Sequence, residues 1–120
     1  MEFKDTKPIF MQIADRISDE ILAGTYTPNQ RIPSVREFGA ELEVNPNTVV
    51  RTFELLTNEG VIYNKRGMGY YVSENSKEII HDMRRQLFMN ETLGEFFREI
   101  DILGISIDEV YKIYQSTHGK

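Results

Sequence analysis

The N-terminal segment carries an isoleucine at every fourth position, namely Ile9, Ile13, Ile17 and Ile21. This spacing places the four side chains along one side of a helix. Thr6-Lys7-Pro8 precedes the pattern, and proline is tolerated in a first helical turn because its missing N–H is not needed there. We therefore predict a first helix that begins at Pro8 and ends at Gly24.

A loop with two prolines follows, and a short second helix is predicted after Ser34. The Ser34 hydroxyl can cap this helix while the Glu37 side chain bonds back to the Ser34 backbone, an arrangement known as a capping box. The predicted buried side of the second helix consists of Val35, Phe38 and Leu42.

The stretch EVNPNTVVRTFELL, residues 43–56, predicts a third helix with a proline at its start. Asn45 can cap the helix through its side-chain oxygen, and Pro46 suits the first helical position because its φ angle is already set. Asn47 and Thr48 complete an exposed first turn. The predicted core side of this helix consists of Val49, Phe53 and Leu56.

A β-hairpin is predicted after Gly60, where the third helix ends. The triplets Val61–Tyr63 and Tyr70–Val72 are rich in β-forming residues and flank a loop with glycines at positions 67 and 69. Helix, short helix, short turn, helix and hairpin, in this order, are typical of a winged helix-turn-helix.

From Ser73 onward the pattern becomes that of a long amphipathic helix. Its apolar positions are Ile79, Ile80, Met83, Leu87, Phe88, Phe96, Phe97, Ile100 and Leu103. The pattern leaves open whether this helix is interrupted over residues 90–94, and Gly104 is expected to end it. Ser106 and Glu109 form a second capping box, which opens a short helix with Ile107, Val110, Tyr111 and Tyr114.

These elements predict a mainly α fold with a small β-hairpin, of the α+β class. The winged helix-turn-helix domain is assigned to residues 1–73, and a helical tail to residues 74–120. A chain of 120 residues suits one modest core with a short extension. The absence of cysteine excludes disulfides and thiolate chemistry. With no apolar run of about 20 residues and no signal-peptide pattern, we expect a cytoplasmic protein.

The net charge of −5 argues against indiscriminate coating of nucleic acid, because phosphate neutralisation supplies nonspecific affinity. Residues 31–69 hold five basic and five acidic side chains, so this window is neutral. Any nucleic-acid contact must therefore come from a focused patch.

The first turn of the third helix carries side chains suited to base edges. In a helix-turn-helix this turn enters the major groove, where Asn can bond an adenine edge and Thr can contact a phosphate or a thymine methyl. Asn47 and Thr48 are placed for such contacts, and Arg51 is long enough to reach a phosphate or a guanine. Asn-Pro-Asn-Thr is also a good helix cap, and that alternative remains open.

Basic residues precede and follow this helix. Arg36 lies in the first turn of the second helix, which crosses the DNA backbone in this architecture, and Arg31 lies shortly before it. Lys65 and Arg66, at the hairpin tip, suit phosphate contact or the minor groove. The alternatives are surface arginines paired with neighbouring glutamates and a solvated hairpin tip.

Residues 8–72 resemble the DNA-binding domain of GntR-type bacterial transcription regulators. Four segments match in order at the family spacing: PIFMQIA, IPSVRE, NPNTVVR and EGVIYNKRGMGYYV. The resemblance implies DNA contacts by Arg36, residues 45–48, Arg51, Arg66 and Gly67. With the side-chain chemistry above, the full predicted set is Arg31, Ser34, Arg36, Asn45, Pro46, Asn47, Thr48, Arg51, Lys65, Arg66 and Gly67.

Two positions depart from the family pattern. Pro46 and Val50 stand where many members carry an arginine, or at position 46 another polar residue. The base preference of those members therefore cannot be transferred to this chain.

The short tail is similar to that of the YtrA-like subgroup, whose members dimerise through it and often regulate transporter genes. A symmetric dimer is also the commonest way to bury a long apolar face. The predicted dimer residues are Ile79, Ile80, Met83, Leu87, Phe88, Phe96, Phe97, Ile100, Leu103, Val110, Tyr111 and Tyr114. The resemblance implies a homodimeric regulator, a repressor in our prediction, on a palindromic operator in double-stranded DNA. A monomer whose tail folds back is the alternative.

No enzyme activity, cofactor or metal site is predicted. His81 and His118 are the chain's two histidines, and neither has neighbours at the spacing of a zinc site or a catalytic relay. A winged helix that binds protein instead of DNA remains an alternative function. A second hypothesis is a small-ligand cavity lined by Phe96, Phe97, Tyr111 and Tyr114, against the simpler interpretation of a dimer core.

Overall fold

The computed structural model describes residues 7–119. Its elements in chain order are α1 (Ile9–Leu22), α2 (Val35–Leu42), α3 (Pro46–Asn58), β1 (Ile62–Lys65), β2 (Gly69–Val72), α4 (Ser76–Leu87), α5 (Leu93–Leu103) and α6 (Ile107–His118). A π-helical turn, Phe88–Thr92, joins α4 to α5. This mainly helical structure with an antiparallel hairpin confirms the predicted fold class.

The chain forms two compact units, which divide within α4 after Asp82. The first unit contains α1 to β2 and the start of α4. The second contains the rest of α4, the π-helical turn, α5 and α6. The functional boundary that we predict at residues 73 and 74 stays a prediction.

In the first unit, α3 packs against both α1 and α2. Their apolar sides form a core of fully buried side chains that includes Ile13, Ile17, Ile21, Phe38, Val49, Phe53 and Leu56. Edge-to-face ring contacts run through this core from Tyr26 to Phe38, then to Phe53 and Tyr70, at centroid distances of 6.5, 5.9 and 4.8 Å. Each such contact stabilises by about 0.5–1.5 kcal/mol beyond area burial. The rings therefore tie the hairpin to the helices.

The predicted ends of α1 are confirmed to within two residues. Pro8 is the N-cap residue, and Ile9 begins the helix. Gly24 follows the last turn with a φ of +88°, a left-handed conformation that favours glycine. Ile9 shares the four-residue spacing of the core positions but is 44% exposed at the helix start. Thr6 lies outside the described residues.

The turn between α2 and α3 is tight, and Glu43 supplies its unusual backbone conformation. Glu43 has a φ of +58°, and the Val44 N–H donates to the Gly39 carbonyl at 3.0 Å. A Cβ atom at position 39 would lie 3.2 Å from the Val44 carbonyl oxygen. Gly39 and the left-handed residue together allow the close approach of α2 and α3 that a helix-turn-helix needs.

Residues 29–32 extend the hairpin, where the sequence pattern predicts only a loop. The Asn29 N–H donates to the Val72 carbonyl at 2.7 Å, and the Ile32 N–H donates to the Tyr70 carbonyl at 2.9 Å. Arg31 pairs with Tyr71 in an antiparallel bridge. The segment therefore acts as a short third partner along β2.

The second unit contains few buried side chains. The helix continues through the π-helical turn, which lies at the predicted interruption, and the left-handed Gly104 ends α5 as predicted. The Ser106–Glu109 capping box is confirmed, since the Glu109 N–H donates to the Ser106 hydroxyl at 3.1 Å. Ile100 is the buried apolar residue of this unit, at 6% exposure.

Glu59, the C-cap residue of α3, gives the fold a pH dependence. Burial raises the pKa of its carboxyl, and the Asp15 carboxylate raises that pKa further. A raised carboxyl pKa means that the folded state binds the proton more tightly than the unfolded chain, so the ionised group opposes folding near neutral pH. We therefore expect Glu59→Gln to raise Tm at pH 7 by a small amount, on the order of 1 °C.

Thermal unfolding followed by circular dichroism from pH 4 to 7 measures this difference. The difference in Tm between Glu59→Gln and the wild type should narrow as the pH falls toward about 4, because the glutamate is then largely protonated in both the folded and the unfolded state. Glu54→Gln on the exposed side of α3 is the matched control. A Tm difference that is constant with pH would contradict this assignment.

Candidate nucleic-acid interface

The N-terminus of α3 is capped as the sequence predicts. The Asn47 N–H donates to the Asn45 side-chain oxygen at 2.8 Å, and Pro46 occupies the first helical position. The Thr48 N–H donates to the Asn45 carbonyl at 2.9 Å. Asn45, Pro46 and Asn47 are exposed, whereas Thr48 is half-buried. The cap therefore uses Asn45 and leaves the side chain of Asn47 facing outward.

One side of α3 is exposed along its first two turns. Asn47, Val50 and Arg51 lie on this side, while the opposite side supplies the core. The Arg51 guanidinium carbon lies 4.1 Å from the centroid of the Phe10 ring. Among the described residues, Arg51 makes no hydrogen bond or ion pair, so its N–H groups are available to a ligand.

The start of α2 brings a second basic group to the surface. The Glu37 N–H donates to the Ser34 hydroxyl at 3.1 Å, and the Ser34 N–H donates to the Glu37 carboxylate at 2.7 Å. This confirms the predicted capping box and commits the Ser34 hydroxyl to the helix end. Arg36 is exposed and makes no ion pair within residues 7–119.

The N-terminus of α2 stabilises the ionised form of the Glu37 carboxyl. The pKa of this carboxyl is lowered, first by the hydrogen bond from the Ser34 backbone N–H, then by the Ser34 side chain, and also by the positive charge of Arg31. A second acidic residue of α2, Glu41, lies 4.0 Å from the Arg16 guanidinium. Both carboxylates are therefore engaged by groups other than Arg36.

The hairpin tip carries the remaining predicted contacts. Lys65, Arg66 and Gly67 are exposed, and Gly67 has a left-handed φ of +76°. The Lys65 ammonium nitrogen lies 4.7 Å from the centroid of the Tyr71 ring. Tyr71 in turn stacks on Tyr63 at 5.8 Å. The two rings support the lysine on one face of the hairpin.

Arg31 forms a hydrogen bond with the hairpin and, within residues 7–119, no ion pair with a glutamate. Its Nε donates to the Met68 carbonyl at 3.0 Å. Gly69 has a φ of +105°, and a Cβ atom there would lie 2.8 Å from the Arg31 Nε. The bare backbone of Gly69 therefore makes room for the arginine, which braces the hairpin loop.

Sequence reasoning did not identify the partners that hold these cations. Phe10, Tyr71 and the Met68 carbonyl each fix a basic side chain. Phe10 stands outside the four-residue apolar spacing of α1, and Tyr71 alternates with the inward Tyr70 and Val72. An aromatic residue at a position that the core spacing does not explain was the sequence feature that could have identified Phe10 and Tyr71.

Residues 7–119 contain no group of three or more His, Cys, Asp or Glu side chains that could hold a metal ion. Within the same residues, none of the helices has both the length and the apolar character needed to cross a bilayer.

The sequence matches the family described as bacterial regulatory proteins, gntR family, over residues 10–72. The HTH-type transcriptional repressor YtrA of Bacillus subtilis is 29% identical over 109 residues, which cover 91% of this chain and 83% of YtrA. The members of the gntR family are transcription regulators and not enzymes.

Solved structures agree in fold. A GntR-family transcriptional regulator from Bacteroides thetaiotaomicron superposes with a TM-score of 0.80 at 48% identity, over 92% of this chain and 96% of the other. The DNA-binding domain of AraR, crystallised with operator ORR3, gives a TM-score of 0.55 at 26% identity, over 61% of this chain and 88% of that domain. With more than half of its length matched to the family, this chain belongs to the GntR family of DNA-binding transcription regulators, as its sequence motifs predicted.

Proposed function

We propose that the protein is a homodimeric repressor that binds a palindromic operator through α3, the start of α2 and the hairpin tip. The observation that carries this proposal is the exposure of basic side chains on all three elements. Arg36, Arg51 and Arg66 are exposed and make no ion pair among the described residues. On a chain of net charge −5, exposed cations on these three elements support the proposal that a focused basic patch contacts DNA.

The docking that we propose places the N-terminus of α3 in the major groove. There Asn47 would bond a base edge, and Arg51 a guanine or a phosphate. Arg36 would bind phosphate beside the groove, and Lys65 and Arg66 would contact the backbone or the minor groove next to it. Asn45 and Ser34 would act by capping, and Arg31 by bracing the hairpin.

Dimerisation is proposed from the exposed apolar surface of the second unit. Twelve of the sixteen exposed large hydrophobic side chains of the described residues lie in this unit. They are Met83, Leu87, Phe88, Met89, Phe96, Phe97, Ile102, Leu103, Ile107, Tyr111, Ile113 and Tyr114. A second copy of the same chain offers a matching surface, and a two-fold symmetric contact would bury both.

Some predicted dimer residues are placed differently. Ile80 is 2% exposed in the core of the first unit, and Ile79 packs against that core. Neither belongs to the exposed surface, and Ile100 is buried as well. The Phe96 and Phe97 rings touch at a centroid distance of 5.9 Å and, like Tyr111 and Tyr114, are exposed. Exposed rings suit a dimer contact better than the lining of a cavity.

The repressor assignment draws on the relatives. The similar Bacillus subtilis protein YtrA is named a repressor, and the AraR domain was crystallised on an operator. By the YtrA-like resemblance, we propose control of transporter genes. The proposed site of action is the cytoplasm, where the bacterial chromosome lies.

Selection of bound duplexes from a random DNA pool tests the proposal. We expect an enriched palindrome whose half-sites are one helical turn, about 10–10.5 base pairs, or a multiple of it, apart. Binding should weaken steeply with salt, because phosphate contacts release counterions. Failure to enrich any sequence would contradict operator binding and would favour the alternative in which the winged helix binds protein.

A further inference from the structure

The ring of Phe10 lies under the guanidinium of Arg51, with 4.1 Å between the Arg51 Cζ and the ring centroid. We infer that Phe10 is a positioning residue, which holds Arg51 in the conformation that contacts DNA. The inference rests on the proposed function, because it assigns the role of Phe10 through the contact made by Arg51.

Phe10 is anchored to α3 by its backbone. The Thr52 hydroxyl donates to the Phe10 carbonyl at 2.7 Å, and Thr52 is fully buried. Thr52 is the residue after Arg51, so the hydrogen bond fixes the start of α1 beside the helix turn that carries the arginine. The ring itself is half-buried and lies outside the set of buried core residues. Its position suits support of Arg51 more than filling of the core.

The contact leaves the arginine free to bind. The five N–H donors of a guanidinium point outward in its plane, whereas the attraction to an aromatic ring uses the face of the ring. A phosphate or a guanine edge can therefore be bound while Phe10 still supports the group. Because the side chain is already ordered, less conformational entropy is lost when DNA binds.

A double-mutant cycle tests the inference with the full chain and a duplex that carries the selected operator. The four proteins are the wild type, Phe10→Leu, Arg51→Ala and the double variant. We expect Phe10→Leu to weaken binding roughly two- to fivefold per half-site in the wild type, the range expected for an exposed cation–π contact, and by the square of that factor on the full operator. In the Arg51→Ala background the same change should have no effect, because the supported group is absent.

The possible outcomes separate the two claims. If Arg51→Ala leaves binding unchanged, the proposed DNA contact fails and the inference fails with it. If Arg51→Ala weakens binding but Phe10→Leu acts equally in both backgrounds, only the positioning role is overturned. Tighter binding by Phe10→Leu would also overturn it, since the ring would then hold Arg51 away from DNA.

Three further measurements keep the inference testable if Phe10→Leu does not fold. Phe10→Tyr retains the ring and should bind like the wild type. Site-specific pentafluorophenylalanine at position 10 keeps the shape of the side chain but reverses the charge distribution of the ring. It should therefore reproduce the two- to fivefold loss of affinity per half-site that is expected from loss of the cation–π contact. In the free protein, the Cδ protons of Arg51 should show an upfield ring-current shift. Absence of that shift would overturn the stacking without any DNA.

Discussion

Replacement of both Arg36 and Arg51 by alanine is expected to abolish specific operator binding while the fold is retained. Both side chains are exposed, and neither makes an ion pair among the described residues. Their loss should therefore cost little stability. Arg51 at a guanine edge is worth about 1–3 kcal/mol, and the proposed dimer loses this contact and the phosphate contact of Arg36 in both half-sites, so we expect at least about a 100-fold loss of affinity.

The salt dependence distinguishes the kinds of contact. The slope of log Kd against log salt should become shallower by about one for each phosphate contact removed. If Arg36 binds phosphate and Arg51 binds a guanine, Arg36→Ala alone should change the slope, and Arg51→Ala alone should relax the base preference at one position. Fluorescence anisotropy over a salt series, with the operator and single-base variants, measures both quantities.

Total charge must be matched in this experiment. Arg85→Ala with Arg98→Ala removes the same two positive charges from exposed positions of α4 and α5, in the second unit. Both double variants change the net charge from −5 to −7, two positive charges fewer. The control should bind the operator nearly as well as the wild type. Equal losses in both double variants would attribute the effect to net charge and would contradict the assigned interface.

Local sequence signals were sufficient to predict most of the helix ends in both units. Capping boxes, a proline after an asparagine cap and helix-ending glycines act within a few residues, and each appears in the structure where the sequence predicts it. Apolar spacing likewise gave the core sides of α1 and α3, because a helix has a fixed period. The order of elements then defined the winged helix-turn-helix.

Contacts between residues far apart in the sequence could not be predicted from these local signals. The pairing of residues 29–32 with β2 joins segments about forty positions apart, and the segment contains no alternating apolar pattern. The same is true of Arg31 on the Met68 carbonyl and of Phe10 beneath Arg51. A single sequence shows which cations exist, but the side chains that hold them are set by the tertiary fold.

The tail shows the opposite limit. The helical period there selected apolar positions correctly but could not tell which of them are covered by the protein's own chain. Ile80 closes the core of the first unit, whereas Leu103 is 69% exposed. Met89, Ile102 and Ile113 were not predicted and are exposed as well. The apolar pattern of a helix does not show which other surface covers each residue.

Introduction of charge into the apolar surface of the second unit is expected to convert the proposed dimer into a monomer. The variant combines Leu103→Glu with Tyr114→Glu, at positions that are 69% and 59% exposed in the single chain. Water can solvate both carboxylates in the monomer, so its folding should be unaffected. Within a dimer contact, an uncompensated buried charge costs about 3–5 kcal/mol, and two-fold symmetry doubles the number of such charges.

The loss of dimerisation should carry over to DNA binding. A dimer that has bound one half-site presents its second α3 at a high effective concentration, which a monomer cannot do. We expect operator affinity to fall about 100- to 10,000-fold, with binding to an isolated half-site unchanged. Analytical ultracentrifugation reports the mass, and electrophoretic mobility shift with full and half operators reports the binding.

Lys77→Glu provides the matched control, because it also changes the charge of each chain by −2. Lys77 is an exposed residue at the start of α4, in the first unit, and it belongs neither to the apolar surface of the second unit nor to the proposed DNA contacts. This variant should remain dimeric and should bind the full operator. If Leu103→Glu with Tyr114→Glu remains a dimer, the apolar surface is not the contact between protomers. If this double variant becomes a monomer and still binds the full operator tightly, dimerisation does not provide the affinity. The proposal that a dimer binds a palindromic operator would then be contradicted.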